Sequence, residues 1–266
     1  MTGLGSVGGG RVVLLVHLIL VGLAATVLYA CSDPSPGTFP TVDPLPESSW
    51  TEAWSSTIAS SPDGGRLYVA NPDSGSITAV DTTTEEVVWE MSVGSRPATV
   101  AADPHGNRVY AAVRDDNVVV VLDAHTGEHL GGAVTGPDPY GVVISVDGRT
   151  LIVSESVGDS VAFFDAERLE PLGRLSIGSR PRGLAVSADG RSLYITHFLT
   201  GHLTVVDLES RVVRTVVKTG PENNAAQHVA IDPAGGRAYL PHIRSRATNP
   251  DLVFDTTLQP LVTVVD

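Results

Sequence analysis

The sequence predicts an all-β fold, a β-propeller of four-stranded antiparallel blades, because three markers recur with one period of 42 residues. The first marker is an aspartate that ends an apolar run, at Asp81, Asp123, Asp165 and Asp207. The second is a glycine in a tight turn, at Gly64, Gly106, Gly148 and Gly190. The third is a proline, at Pro97, Pro139 and Pro181. A period near 40 residues built from short strands is typical of propeller blades.

A single repeat contains four candidate strands. In the fourth repeat they are Gly183–Ser187, Ser192–Thr196, Leu203–Asp207 and Arg211–Val217. The turn Ala188-Asp189-Gly190 joins the first two, since glycine supplies the positive φ that a tight hairpin requires. The third strand has the β-branched residues expected of a buried sheet, and the fourth is more polar. No segment after residue 31 shows a sustained helical period, so we expect very little helix.

The repeat count gives about four and a half blades. A fifth blade begins at His228 and reaches its third strand at Val262–Asp266, where the sequence ends. Propellers typically close a ring of about four to eight complete blades. We therefore expect the propeller, residues 51–266, to be truncated at its C-terminus and the natural protein to continue.

The first 30 residues are predicted to be a signal peptide or membrane segment. Val12–Ala30 is almost wholly apolar and follows a single positive charge, which is the pattern of a secretory leader. Cys31, the only cysteine, follows Leu28-Tyr29-Ala30 and resembles the lipidated cysteine of a bacterial lipobox. An uncleaved membrane helix and secretion without a lipid remain alternatives.

Residues 31–50 form a proline-rich segment that we interpret as an extended tether. A lipid anchor, a tether and a β-domain together predict a protein of the cell envelope, held by its lipid at the periplasmic or extracellular face. The membrane is then one partner of the chain.

The charge balance argues against nucleic acid as a partner. The formal net charge is -13 and Lys218 is the only lysine. No cluster of basic residues is present to neutralise phosphates. An acidic surface favours solubility, and it could steer a basic protein partner.

The first repeat resembles the YVTN family of β-propeller repeats. The resemblance rests on Tyr68-Val69-Ala70-Asn71, on Ser76–Thr82 and on the loop Val93-Gly94-x-x-Pro97. It covers about residues 56–266 and implies the fold rather than a function, because such repeats serve unrelated proteins.

The last 45 residues resemble the propeller part of proteins that carry a dihaem cytochrome c peroxidase-like (MauG-like) domain. The matching segments are Gln227–Pro233, Tyr239–Ser245 and Phe254–Thr257. The resemblance implies haem in a domain beyond residue 266. This chain itself has one cysteine and no Cys-x-x-Cys-His motif, so we expect no cofactor within it.

The repeat is interrupted twice, by added residues near Pro221–Gln227 and within Pro241–Pro260. Blade topology places both insertions on the end of the propeller where second strands finish and the next blade begins. We call this end the rim, and we expect it to dock a partner or ligand.

Five side chains are predicted on the rim: His197, His228, His242, Arg244 and Arg246. The histidines could hydrogen-bond to backbone, hold a redox partner, transfer protons or, as a weaker alternative, bind a metal. The arginines could bind a carboxylate, for example a haem propionate from a following domain.

Three functions remain open at this point. The first is a non-catalytic, envelope-anchored binding or scaffold module. The second is the propeller portion of a periplasmic haem redox protein. The third is a propeller lactonase, which ranks last because no acid, base and metal set converges in the sequence.

Overall fold

The computed structural model of the protein describes residues 54–220, 222–232, 237–245 and 258–266. Every described residue belongs to one compact unit. The predicted leader, Cys31 and most of the tether lie outside the described residues. Among the residues that are described, no helix is long and apolar enough to cross a membrane.

Four complete blades confirm the predicted propeller, and each is an antiparallel sheet whose strands pair in chain order. Blade 1 comprises β1 (Ile58–Ser60), β2 (Arg66–Asn71), β3 (Ser76–Asp81) and β4 (Val87–Ser92). Blade 2 comprises β5 (Pro97–Ala102), β6 (Arg108–Val113), β7 (Val118–Asp123) and β8 (His129–Val134). Blade 3 comprises β9 (Pro139–Ile144), β10 (Thr150–Glu155), β11 (Ser160–Asp165) and β12 (Pro171–Ser176). Blade 4 comprises β13 (Pro181–Val186), β14 (Ser192–His197), β15 (Leu203–Asp207) and β16 (Val212–Val217).

The fifth blade is partial and differs in detail from the prediction. Its strands are β17 (Asn223–Asn224), β18 (Ala230–Ile231), β19 (Ala238–Ser245) and β20 (Leu258–Val265). β20 pairs along the whole of β19, so β17 and β18 share the opposite edge of β19 as two pieces of one first strand. The sequence predicts that the first strand of this blade begins at His228 and that the inserted residues from 241 onward form a loop. That placement was wrong for 241–245 and 258–260, which extend the hairpin between β19 and β20.

Both faces of the middle strands are buried, which explains their apolar runs. On β6, Val109 and Ala111 pack into the core between blades 1 and 2. Tyr110 and Ala112, which alternate with them, pack into the core between blades 2 and 3. Two further clusters fill the space between blades 3 and 4 and between blades 4 and 5. Successive side chains of a strand point to opposite faces, so blades 2 to 4 each contribute to two cores.

The periodic aspartates hold turns, as predicted. Asp123 Oδ1 accepts hydrogen bonds from the backbone N–H groups of His125 and Thr126, both at 2.8 Å. Asp81 and Asp165 accept the same pair of bonds in blades 1 and 3. These backbone bonds lower the pKa of each aspartate.

Side-chain hydroxyls join the inner strands of neighbouring blades. Ser154 Oγ donates to the carbonyl of Arg182 at 2.7 Å and accepts from Gly141 N–H at 2.8 Å. Between blades 2 and 3 the same task falls to Thr99, whose Oγ1 donates to the carbonyl of Tyr140 at 2.6 Å. The inner strands β5, β9 and β13 are thus tied together at the rim.

Residues 54–56 join two blades that are not adjacent. Ser55 N–H donates to the carbonyl of Leu184 at 2.7 Å, and Leu184 N–H donates to Ser55 Oγ at 2.8 Å. Val100 N–H donates to the carbonyl of Ser56 at 2.8 Å. The segment therefore connects β13 of blade 4 with β5 of blade 2 and fills the space in front of β9.

Candidate functional site

The last residue of each second strand marks the rim. In blades 1 to 4 these residues are Asn71, Val113, Glu155 and His197. The polar members form their hydrogen bonds with their own blade and with the connection that precedes it. The carboxylate of Glu155, for example, is 1% exposed and forms an ion pair with Arg174 at 2.6 Å. This repeat position therefore stabilises blades in the structure.

His197 lies where the sequence placed it, but its ring is buried. The side chain is 3% exposed. Nδ1 is 3.0 Å from the carbonyl of Gly178, which can only accept, so Nδ1 carries the proton. Nε2 then accepts from Thr204 Oγ1 at 2.7 Å. Burial lowers the pKa of His197, and the neutral ring has both nitrogens engaged.

His242 occupies the equivalent place in the fifth blade, within β19 rather than at a strand end. Its Nε2 is 2.6 Å from Thr263 Oγ1, which matches the bond between His197 and Thr204. Its Nδ1 is buried without a hydrogen-bond partner. Burial lowers the pKa of His242 as well. To contact a partner, His197 or His242 would first have to leave its threonine.

The other predicted residues are dispersed. His228 precedes β18 by two residues, and its Nδ1 is 3.4 Å from the carbonyl of Ser55. Arg244 lies on β19, partly exposed. Arg246 lies outside the described residues. Within the part of the chain that is described, no group of three or more His, Cys, Asp or Glu side chains could hold a metal ion. The metal alternative therefore finds no support there.

A different set of rim residues converges around one guanidinium. The Cζ atom of Arg182 lies over the rings of Phe198 and Tyr140, at 3.7 Å and 4.6 Å from their centres. The Cζ atom of Arg114 lies over the same Tyr140 ring at 5.3 Å. The Tyr140 hydroxyl donates to Gln227 Oε1 at 2.6 Å. We call Arg114, Tyr140, Arg182, Phe198 and Gln227 the Arg182 cluster.

The two arginines of the cluster differ in their partners. Arg114 Nε is 2.7 Å from Asp138 Oδ1, and this bond raises the pKa of Arg114. None of the ion pairs found among the described residues includes Arg182. The Nε atom of Arg182 is buried without a hydrogen-bond partner, and burial lowers the pKa of this guanidinium. Arg182 is thus a half-buried cation held mainly by aromatic faces.

The histidine-centred prediction missed this cluster, although the sequence carries a signal for it. The position after the marker proline reads Ala98, Tyr140 and Arg182 in three successive repeats. A repeat position that varies from small to aromatic to cationic is not fixed by blade packing. Comparing repeats position by position would therefore have indicated Tyr140 and Arg182.

Comparison with known proteins agrees with the fold. Residues 44–230 match the sequence profile described as YNCE-like beta-propeller, which covers more than half of the chain. One of many similar solved structures is the Kuenenia stuttgartiensis Hydrazine Synthase, with a TM-score of 0.71 and 23% sequence identity. The match covers 86% of this chain but 66% of that one, slightly less than two thirds. At this identity the likeness concerns the fold alone. No curated protein matches the sequence.

Proposed function

Because the chain belongs to the YNCE-like beta-propeller family, we propose that it is a non-catalytic binding module whose rim docks a partner at the cell envelope. The family fixes the fold, and propellers of one fold serve many functions. The argument for a binding role therefore rests on the rim itself.

The observation that carries the proposal is the Arg182 cluster. Aromatic and arginine side chains together are the residues most enriched at binding hot spots. Arg182 is half-buried between Tyr140 and Phe198 and lacks an ion-pair partner in the described part of the chain. Such an arrangement gains free energy when a partner covers it and supplies an acceptor. The exposed Leu199, 56% accessible, adds an apolar contact beside Phe198.

Site-specific photo-crosslinking in the native envelope tests the proposal. A benzoylphenylalanine at Leu199 on the rim is compared with one at Asp189, an exposed turn residue at the opposite end of the same blade. We expect discrete protein adducts from position 199 and none of the same mass from position 189. Identical adducts from both positions would contradict a specific rim interface.

The envelope anchor is a separate part of the proposal and rests on the sequence around Cys31. A Cys31→Ala variant removes the only thiol that a lipid could modify. We expect the wild-type protein in the detergent phase after fractionation, with incorporated radiolabelled palmitate, and the variant without label. Equal labelling of the two proteins would argue against lipidation at this residue.

A second candidate is the propeller portion of a redox protein. Two observations favour it: the resemblance of the last 45 residues to haem-fused propellers, and a structural neighbour named hydrazine synthase that is longer than the matched part. Intact mass and haem staining of the native product test this candidate. A longer, haem-positive product supports it, and a haem-free product that ends near Asp266 argues against it.

A further inference from the structure

We infer that the Arg182 cluster is a carboxylate-binding site on the rim. This inference rests on the proposed binding role of the rim and adds the chemical class of its ligand.

Two aromatic rings contact the guanidinium of Arg182. Phe198 and Tyr140 lie 3.7 Å and 4.6 Å from Arg182 Cζ, and both contacts are over the ring faces. The Nε edge is buried and unpartnered. A guanidinium carries five N–H donors in one plane. The donors on Nη1 and Nη2 form no ion pair in the described part of the chain, so they can donate hydrogen bonds to an anionic partner.

The local charge is positive although the chain is acidic overall. Arg114 and Arg182 both lie over Tyr140, and Asp138 pairs directly with Arg114 but acts on Arg182 only at longer range. Arg180 is exposed on the same strand end. A half-buried cation without a counter-ion is unfavourable, and a bound anion would relieve both its desolvation and its repulsion from the neighbouring arginines.

The charge and burial of Arg182 favour a carboxylate over a phosphate. A carboxylate is planar and can pair with the guanidinium through two parallel N–H···O bonds in the guanidinium plane. Its single negative charge also matches the single positive charge of Arg182. A phosphate carries a charge of about −1.5 to −2 near pH 7, so it would lose more hydration energy at a half-buried site with one unpaired cation.

Gln227 helps to hold this geometry and offers a further donor. Its Oε1 accepts the Tyr140 hydroxyl at 2.6 Å, which fixes the tilt of the ring. The two N–H groups of the same amide are then available as donors to a second carboxylate oxygen or to the backbone of a bound peptide. Gln227 is only partly exposed, so its side chain is held in place by its surroundings.

The test uses ¹⁵N NMR on the whole purified protein, with the backbone N–H signal of residue 182, which every variant retains, as reporter. Sodium acetate is titrated into the wild type, into Arg182→Lys and into Arg96→Lys. Arg96 is a matched rim arginine that pairs with exposed Asp115 at 3.0 Å. For the wild type we expect a saturable shift with a dissociation constant on the order of 1 mM. We expect Arg182→Lys to weaken binding about tenfold, since lysine lacks the planar fork, and Arg96→Lys to leave it unchanged.

Inorganic phosphate and two peptides complete the experiment. Phosphate that shifts the Arg182 signal as effectively as acetate, or no shift with either anion, would overturn the inference. A glutamate-containing peptide that binds more tightly than acetate, while its glutamine twin does not bind, assigns the carboxylate to a protein partner. Equal affinities for acetate and for the peptide indicate that the natural ligand is a small carboxylate rather than a protein, and the site remains a carboxylate site. The reporter signal in the wild type keeps the test decisive even where a variant folds poorly.

The two proposals can fail independently. Crosslinks from position 199 without any acetate response would leave the docking rim and remove the carboxylate site. An acetate response without specific crosslinks would have the opposite meaning.

Discussion

Replacing Ser154 by alanine removes a hydroxyl that joins blades 3 and 4. The Oγ atom donates to the carbonyl of Arg182 at 2.7 Å and accepts from Gly141 N–H at 2.8 Å. The pairing register of β9 and β10 shifts at this point, so Gly141 N–H is outside the regular ladder. Ser154 itself is 0% exposed, and water cannot easily replace the lost hydroxyl.

The magnitude follows from the two backbone groups left without a partner. A buried donor or acceptor that loses its hydrogen bond costs roughly 1 to 3 kcal/mol. The two groups together therefore lower the free energy of unfolding by about 3 kcal/mol. For a domain of this size, about 1 kcal/mol corresponds to roughly 2 to 4 °C in Tm, so we expect a decrease of about 6 to 12 °C.

Urea unfolding followed by circular dichroism measures this loss. Ser176→Ala on the exposed strand β12 is the matched control, for which we expect a change below about 0.5 kcal/mol. If Ser154→Ala unfolds with the same midpoint as Ser176→Ala, the hydroxyl bridge does not stabilise the propeller and the reasoning fails.

Three further predictions concern the folded propeller. Turn hydrogen bonds lower the pKa of Asp207 to about 2. Their stabilisation is complete above pH 3.8 and is lost as the pH falls toward 2. We therefore expect the free energy of unfolding of Asp207→Asn to depend less on pH in this window, as measured by acid unfolding. Gly141→Ala would place Cβ 2.2 Å from the carbonyl oxygen of Arg182, so we expect a large decrease of Tm in thermal unfolding. Gly65→Ala is the control: its Cβ would have no atom closer than 3.4 Å, and its Tm should change little. Burial lowers the pKa of His197 from 6.5, so the free energy of unfolding decreases as the pH falls below 6.5. Chemical unfolding at pH 7.5 and at pH 5 measures this decrease. We expect it to be smaller in His197→Asn than in the wild type.

The propeller could be predicted because its markers act locally. Asp123 accepts bonds only two and three residues ahead, and Gly106 has a φ of 76° that other residues adopt at a cost. Such requirements recur in every blade, so they leave the same residue types at the same spacing. The strand boundaries of the fifth blade were predicted less accurately. Its first strand is divided between Asn223–Asn224 and Ala230–Ile231, and no local residue pattern indicates this division.

The site could be predicted only in part because its contacts are long-range. Tyr140 and Gln227 are 87 residues apart in sequence but share a hydrogen bond. His197, by contrast, was identified by its type and placed correctly, but its burial depends on Gly178 and Thr204. Whether a rim side chain faces solvent or its own blade is decided by such partners. The binding roles of His228 and Arg244 stay predictions.

The segment that joins blades 2 and 4 has a consequence for the order of folding. Ser55 bonds to Leu184, 129 residues later in the chain, and Ser56 bonds to Val100. The first described residues are therefore among the last to find all of their native partners during synthesis. Contacts of such long sequence separation slow folding. We expect chains that end before residue 184 to leave Ser55 without this partner. A chain synthesised from its N-terminus therefore stays open until the first strand of blade 4 has been made.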